Sequence, residues 1–453
     1  MPHEVSRTPH FLSPFPNTEE PAIQELLENR LAISASDAAV RIRALALTDK
    51  QGVLLDERLS AINPDDGRPV LICSLAQELD GFTDFILAHV ASRIAAGLAM
   101  AAKICMDCEI LIYAETEAQA EMLAAPLREI APASLISVKY GPASPVLREE
   151  TALYNAIDNG VIRCDLWVKS FSAEGWQGRP TFLLDVETAY WIYEGVSSSR
   201  RQEKLIMITT DERTRVVAVA LGTPVSALLE ELELAPAKPL LLGGMLGHFA
   251  SAPALTSEFI SYDSVYDSIR IFTDKHCMAT IAKGLLSAAA ETSCGKCVIC
   301  REGSWQLKAV FTDVTEGRAK KEDLDLVTDI GELIGAGSFC AFGRNMVGPA
   351  LSAVACSRLD LEAHIVRKTC PASVCTHFLA YVIDPKLCSG CGECLDVCPE
   401  NAIQGKSGYI HMIDPAICEK CGRCTEVCEK NAIVTASGRI RVPKQLTRVG
   451  RFK

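Results

Sequence analysis

The residues with the clearest chemistry are cysteines. Cys388-Ser-Gly-Cys391-Gly-Glu-Cys394-Leu-Asp-Val-Cys398-Pro399 recurs as Cys418-Glu-Lys-Cys421-Gly-Arg-Cys424-Thr-Glu-Val-Cys428-Glu429. In this C-x2-C-x2-C-x3-C spacing, three thiolates on one loop cap three irons of a cube, and the fourth ligates the other cube of the pair. The spacing predicts one [4Fe-4S] cluster on Cys388, Cys391, Cys394 and Cys428, and another on Cys418, Cys421, Cys424 and Cys398. Gly390, Gly392 and Gly422 let the backbone curl around a cluster and aim amides at its sulfurs. A zinc ribbon needs two separated cysteine pairs, which this triple-plus-one repeat is not. Glu429, where the first repeat has Pro399, removes a loop stiffener but no ligand.

A second constellation lies upstream. Cys294, Cys297 and Cys300, in Ser293-Cys294-Gly-Lys-Cys297-Val-Ile-Cys300-Arg301, leave a cube one ligand short. Cys340, in the glycine-rich stretch from Gly335 to Gly343, is the obvious fourth, although spacing alone does not tie down a ligand so far along the chain. Cys356, His364, Cys370 and Cys375 offer three thiols and an imidazole, a set that suits tetrahedral structural zinc and would clip the C-terminal segment in place. His377 could stand in for His364, and the alternative is free buried cysteines beside an unrelated histidine. Cys105 and Cys108 form an isolated C-x2-C with no partner pair and read as core thiols, as do Cys73, Cys164 and Cys277.

The elements that must position these groups are readable in outline. A chain of 453 residues exceeds a single core, and 49% hydrophobic against 23% charged residues describes a globular protein. A net charge of −12 argues against nucleic acid as the partner, because phosphate binding needs a positive surface. The start, Met-Pro-His-Glu-Val-Ser-Arg, lacks the layout of a secretion signal, and the longest uncharged apolar run, Ile94 to Ala102, is too short for a transmembrane segment. Twenty cysteines without a signal read as cluster and metal ligands of a cytoplasmic protein rather than as disulfides.

The pattern divides the chain into a Pro/Ser/Thr-rich arm (1–30), an α/β domain (31–200), a small β-grasp module (201–255), a helical bundle (256–365), a zinc-clip hinge (356–377), a ferredoxin domain (378–436) and a basic tail (437–453). In the α/β domain, strand-like runs at Arg68–Cys73 and Cys108–Tyr113 flank an alanine-rich helical stretch, Phe82–Lys103, an order that makes a parallel layer. Two strands, a helix at Pro224–Leu232 and a Gly243-Gly244 turn have the size and order of a β-grasp unit. Arg439, Arg441, Lys444, Arg448, Arg451 and Lys453 make the tail basic, either solvated or docked on an acidic partner.

The Ser-Cys-Gly-x-Cys-x-x-Cys-Arg-Glu-Gly run, followed by Cys340 in a glycine-rich turn, resembles the flavin- and NADH-binding subunit of respiratory complex I. With the appended two-cluster ferredoxin, residues 60 to 436 are similar in layout to the β subunit of NAD-linked, electron-bifurcating iron hydrogenases. The resemblance extends to Arg148-Glu149-Glu150-Thr151, Gly178–Thr181 and Val186-Glu187-Thr188, while the Leu242–Gly247 turn is closer to a related membrane ion-pump subunit. It implies a multidomain α/β protein: a Rossmann-like flavin domain, an SLBB-like β-grasp module, a bundle with one [4Fe-4S] cluster and a two-cluster ferredoxin.

The resemblance fails at the flavin pocket. The family's GRGGAGFPTG loop, whose glycines let amides approach a phosphate, has no counterpart here. Ser74, Ala76 and Leu79 stand at polar positions of the family's Asn-x-Asp-Glu-x-Glu-Pro-Gly stretch. Arg148 replaces the glycine of Gly-Glu-Glu-Thr, Pro145 replaces a tyrosine, and Leu184-Asp185 replaces paired asparagines. Loss of four elements of one pocket predicts a chain without FMN and therefore without hydride chemistry. Glu149, Glu150, Thr151 and Glu187 then remain as structural residues. The expected function is an iron–sulfur subunit of a soluble oxidoreductase, relaying single electrons through three [4Fe-4S] clusters, with no catalytic residue of its own. Its expected partners are other oxidoreductase subunits, a flavoprotein or small iron–sulfur subunit, or a ferredoxin. The alternatives are an FMN-dependent NADH:acceptor oxidoreductase with a remodelled pocket, and a redox-docking scaffold.

Overall fold

Continuous aliphatic runs build the strands that the helices then cover. The computed structural model describes residues 12–14, 34–45, 47, 54–60, 62, 67–77, 81–105, 108–166, 174–197, 203–261, 266–437, 443 and 445–452. Leu79, the arm apart from Leu12–Pro14, and Arg439, Arg441, Lys444 and Lys453 of the tail lie outside the described residues. The chain forms two compact units. The first runs to Phe272 and includes Leu285–Trp305 and Ile330–Ser352; the second comprises Thr273–Gly284, Gln306–Asp329 and the chain from Ala353.

In the first unit, strand β1 (Leu12–Pro14) and helices α1 (Ala35–Leu45) and α2 (Leu55–Ser60) precede an alternating layer. That layer is β2 (Val70–Ser74), α3 (Phe82–Ile104), β3 (Glu109–Ala114), α4 (Glu117–Ile130), β4 (Ile136–Tyr140), α5 (Glu150–Asn159), β5 (Thr181–Leu183) and α6 (Val186–Ser197). Its strands pair in the order β4-β3-β2-β5, all parallel. Leu71, Cys73, Ile110 and Ile112 face a core shared with α3, α4 and α6, whereas Val70, Ile72, Leu111 and Tyr113 face Leu153, Tyr154 and Trp176. Burial on both faces is what turns these strands into continuous apolar runs.

Helix α3 is long and apolar enough to cross a membrane, a length that the Ile94–Ala102 run understates. It is a core helix of this layer: Phe82, Ile86, Val90, Ile94 and Leu98 are all buried. It lies so close to α6 that a Cβ on Gly97 would sit 1.8 Å from the carbonyl oxygen of Ala189.

A second sheet follows from β6 (Glu203–Thr209), β7 (Thr214–Ala220), helix α7 (Val225–Glu231), β8 (Leu240–Leu242), β9 (His248–Ala250) and β10 (Ser268–Arg270). The order is β1-β7-β6-β10-β8-β9, antiparallel except where β10 runs parallel to β6. Ile206, Ile208, Val217 and Val219 pack around α7, and the alternate residues Leu205, Met207, Val216 and Ala218 join the core of the parallel layer.

Helices α8 (Met278–Thr292), α9 (Val298–Thr315), α10 (Asp323–Gly337), α11 (Ala341–Asn345), α12 (Gly348–Cys356) and α13 (Arg358–Ile365) continue the chain. The second unit ends in an internal repeat: β11 (Leu379–Ile383), α14 (Glu393–Asp396) and β12 (Ile403–Gln404), then β13 (Met412–Ile413), α15 (Arg423–Glu426) and β14 (Ile433–Ser437). β11 pairs with β14 and β12 with β13. The amide of Asp384 donates to Ala432 at 2.7 Å and that of Asp414 to Ala402 at 2.8 Å, so the start of each half is tied to the end of the other.

Candidate functional site

Cys294 and Cys297 lie on the loop before α9, and Cys300 lies in its first turn. Gly295, at φ 76°, turns that loop, and Cys340 is the N-cap of α11. Burial pushes the Cys300 thiol up, the Ser293 hydroxyl 3.5 Å away opposes it, and the nearby Cys340, Cys294 and Cys297 add to the rise. Glu149 reaches the same place from the parallel layer, where its Oε1 accepts from the Ala341 amide at 2.6 Å. A fifth thiol, expected to be an ordinary core residue, lies beside Cys294 and Cys340: Cys164, buried at the end of an irregular segment. That contact draws Cys294 down to about 5 and Cys340 to about 7 against the opposing effect of burial. The nearness of the same two residues, with burial, raises Cys164 itself. Its isolated position in the sequence carries no signal of this.

In the ferredoxin-type repeat, Gly390 (φ 74°), Gly392 (φ 102°) and Gly422 (φ 80°) turn the cysteine loops, and Lys420 takes the same left-handed conformation at φ 59°. Cys398 lines one cavity with Cys418, Cys421 and Cys424. Burial, then Cys388 and Cys391, push Cys394 up to about 12. The amides of Ala402 and Ala432 donate to the sulfurs of Cys398 and Cys428, each at 3.3 Å, as cluster thiolates require. His411, 1% exposed, places Nδ1 3.8 Å from the Cys388 sulfur.

The zinc expectation needs one correction. Cys277, His364, Cys370 and Cys375 bring their ligand atoms within 4.8 Å of one another, all buried. Cys277, expected to be an ordinary core thiol, takes the place expected of Cys356, which ends α12 half-buried and outside the group. Cys277 is contributed from just before α8, and no local spacing could reveal a partner 87 residues from His364. His377 is exposed and takes no part. His364 Nε2 is 3.3 Å from the sulfurs of both Cys277 and Cys375, and Nδ1 is 2.6 Å from the Asp360 carbonyl, which fixes the tautomer with Nε2 free to ligate. Burial disfavours charge on His364, but hydrogen bonds from the ring to Cys277 and Cys370 outweigh it and lift the imidazole to about 10. Hydrogen bonds from Cys277 and Cys375 hold Cys370 far below the thiol range. Cys73, Cys105 and Cys108 are buried in the first core.

The residues of the expected flavin pocket have other occupations. Asp185 accepts from the amides of Glu187 and Thr188, both at 3.0 Å, and so caps α6. Glu150 pairs with Arg58 at 3.1 Å, and Glu187 accepts from Lys204, the Leu205 amide and Trp191. Pro145 opens a single helical turn whose N-cap is Ser144. Arg148 lies 3.6 Å from Asp267 and, with Gln77, Pro145, Gly243, Gly244 and Arg270, lines a cavity of about 380 Å³. At the carboxyl ends of β2 and β3, a cavity of about 210 Å³ is lined by Asp84, Glu115 and Gln119.

The chain thus sets a parallel α/β layer ahead of helices and a cysteine-rich repeat. Residues 280–364 match the NADH-ubiquinone oxidoreductase-F iron–sulfur binding region, and residues 381–404 match the 4Fe-4S binding domain. The chain is 29% identical over 306 residues to HndC, a subunit of the NADP-reducing hydrogenase of Solidesulfovibrio fructosivorans, covering 61% of each chain. It is 29% identical over 134 residues to the F-type subunit of NADH-quinone oxidoreductase from Streptomyces coelicolor, covering 27% of this chain and 30% of that one. A crystal structure of an NAD+-reducing [NiFe]-hydrogenase in the H2-reduced state shares the fold, with a TM-score of 0.67 at 19% identity over 77% of this chain and 66% of that one. The chain is thus a homologue of the F-type NADH-quinone oxidoreductase subunits and of hydrogenase subunits, and its matches span less than two thirds of their length.

Proposed function

We propose that this chain is a single-electron relay subunit of a multi-subunit oxidoreductase and holds three [4Fe-4S] clusters. Cys294, Cys297, Cys300 and Cys340 would hold the first, Cys388, Cys391, Cys394 and Cys428 the second, and Cys418, Cys421, Cys424 and Cys398 the third. Each cube supplies a one-electron carrier; the chain's part is to fix its place and tune it through amides, burial and charge. Structural zinc on Cys277, His364, Cys370 and Cys375 fits the three-thiol, one-imidazole donor set. Flavoprotein and small iron–sulfur subunits are the partners this reading implies.

The observation that carries the flavin-free reading is the fate of the pocket residues. Glu149, Glu150, Asp185 and Glu187 are all engaged by partners within the protein. Asp84 and Glu115 put carboxylates at the strand ends, where a phosphate needs donors. The second reading, an FMN-dependent NADH:acceptor oxidoreductase, is favoured by the cavity beside Arg148, whose volume of about 380 Å³ is in the range of cofactor sites.

Flavin and iron released from anaerobically purified protein decide between them. About twelve irons and no flavin per chain support the relay. About one FMN per chain would establish the second reading.

A further inference from the structure

His411 carries an inference that rests on assigning Cys388, Cys391, Cys394 and Cys428 to the second cluster. The residue is 1% exposed, and its Nδ1 lies 3.8 Å from the sulfur of Cys388, within the reach of an N–H···S hydrogen bond. The ring has little room to turn, because a Cβ on Gly405 would sit 1.8 Å from its Cδ2. The backbone on either side is pinned as well. The Ile410 amide donates to the Thr447 carbonyl at 2.8 Å, and Met412 pairs with Gln404 across β12 and β13.

A neutral imidazole has one N–H to give. His411 Nε2 is buried and has no hydrogen-bond partner among the described residues, so a proton there would go unused. On Nδ1 the same proton meets a ligand thiolate, and a hydrogen bond to a charged acceptor away from water is a strong one. We propose that His411 is a positioning residue of the second cluster, whose Nδ1–H donates to the Cys388 sulfur and raises that cluster's reduction potential. The physical reason is that the hydrogen bond draws negative charge off the sulfur and so favours the reduced cube, which carries one more electron. The effect belongs to one half of the repeat. In the register that sets Cys388 over Cys418, His411 falls on Tyr381, and Tyr381 lines the cavity of Cys418, Cys421 and Cys424. The second cube thus faces an imidazole where the third faces a phenol.

The test uses the full chain, purified anaerobically, as wild type, His411→Leu, His411→Asn and Cys391→Ser, with iron counting and potentiometric EPR. Cys391→Ser, which removes a ligand on the second cluster's own loop, identifies the signal of that cluster. The proposal expects His411→Leu, apolar and without a donor, to keep the wild-type iron complement and to titrate the second cluster at lower potential while the third is unmoved. His411→Asn, whose amide places an N–H near the position of Nδ1, should return the potential toward wild type. A His411→Leu protein with full iron and an unmoved potential overturns the proposal. So does an equal fall in His411→Leu and His411→Asn, which would make the effect one of packing. Loss of the second cluster from both variants overturns it too, because His411 would then hold the loop or the iron itself. Failure of the underlying assignment looks different: Cys391→Ser then changes neither iron nor spectrum.

Discussion

His364 Nε2 lies 3.3 Å from the sulfur of Cys277, and that pair brings the start of α8 to the hinge residues Cys370 and Cys375. If this is a zinc clip, the assignment of its fourth ligand is testable by subtraction. Cys277→Ser and His364→Ala should be purified with little or no zinc, and Cys356→Ser with the wild-type content of about one ion per chain. Elemental analysis after gel filtration reads this directly. The clip should also stabilise the second unit, so chelation of wild type at high temperature lowers its melting point, and chelation of Cys277→Ser does not. Zinc retained by Cys277→Ser and lost by Cys356→Ser would sink the assignment.

The crossed ligation proposed for the ferredoxin-type repeat is supported by Cys398 sharing a cavity with Cys418, Cys421 and Cys424. Pairs of substitutions read it out. Cys398→Ser with Cys421→Ser removes two ligands of one cube and should cost about four irons, whereas Cys398→Ser with Cys391→Ser strikes both cubes and should cost about eight. The reverse pattern, about eight irons lost with Cys421→Ser and about four with Cys391→Ser, would show that the fourth cysteine of each run stays with its own loop.

Which parts of this are legible in the sequence depends on how far apart the partners lie. The cysteine triplets and the continuous apolar runs at Val70–Ser74 and Glu109–Ala114 are local patterns, and they mark 4Fe-4S regions and a parallel sheet. Helix α3 is legible over Phe82–Lys103, nearly its whole length, and only its uncharged run is short, because Asp84, Arg93 and Lys103 interrupt it. Cys164 and Cys277 read as core thiols for a different reason: each has no cysteine or histidine neighbour at ligand spacing, and only the fold brings them to Cys294 and His364. Asp185 reads as a carboxylate beside a cofactor, and its position just before a helix is instead that of an N-cap.

Lys204 makes a separate prediction about the first unit. Its ammonium is fully buried, 3.1 Å from Glu187 and 2.6 Å from Asp267. Removing one partner of a buried ion pair leaves an uncompensated charge, a loss of about 3–5 kcal/mol. Lys204→Met should therefore destabilise the unit by that order, and Lys204→Met with Asp267→Asn should recover part of it. Tryptophan fluorescence follows the transition, because Trp176 and Trp191 are buried in this unit. A Lys204→Met protein that unfolds like wild type would show that Glu187 and Asp267 need no cation.

Gly390 and Lys420 occupy corresponding places in the two cysteine loops, both with left-handed backbones, at φ 74° and 59°. Their surroundings differ. A Cβ on Gly390 would lie 2.9 Å from the backbone nitrogen and oxygen of Tyr409, which cannot move without shifting the neighbouring turn. Lys420 has room for its side chain and uses it, donating from Nζ to the carbonyls of Thr376 at 2.7 Å and His377 at 3.4 Å. Gly390→Ala should therefore reduce iron incorporation and lower the melting point of the second unit. Lys420→Gly should keep full iron, because relief of about 1 kcal/mol of left-handed strain offsets the loss of two exposed hydrogen bonds. Iron per chain and thermal unfolding, measured side by side on the two variants, check both halves. Full iron and an unchanged melting point in Gly390→Ala would mean that the contact with Tyr409 does not decide whether the loop can close around its cluster.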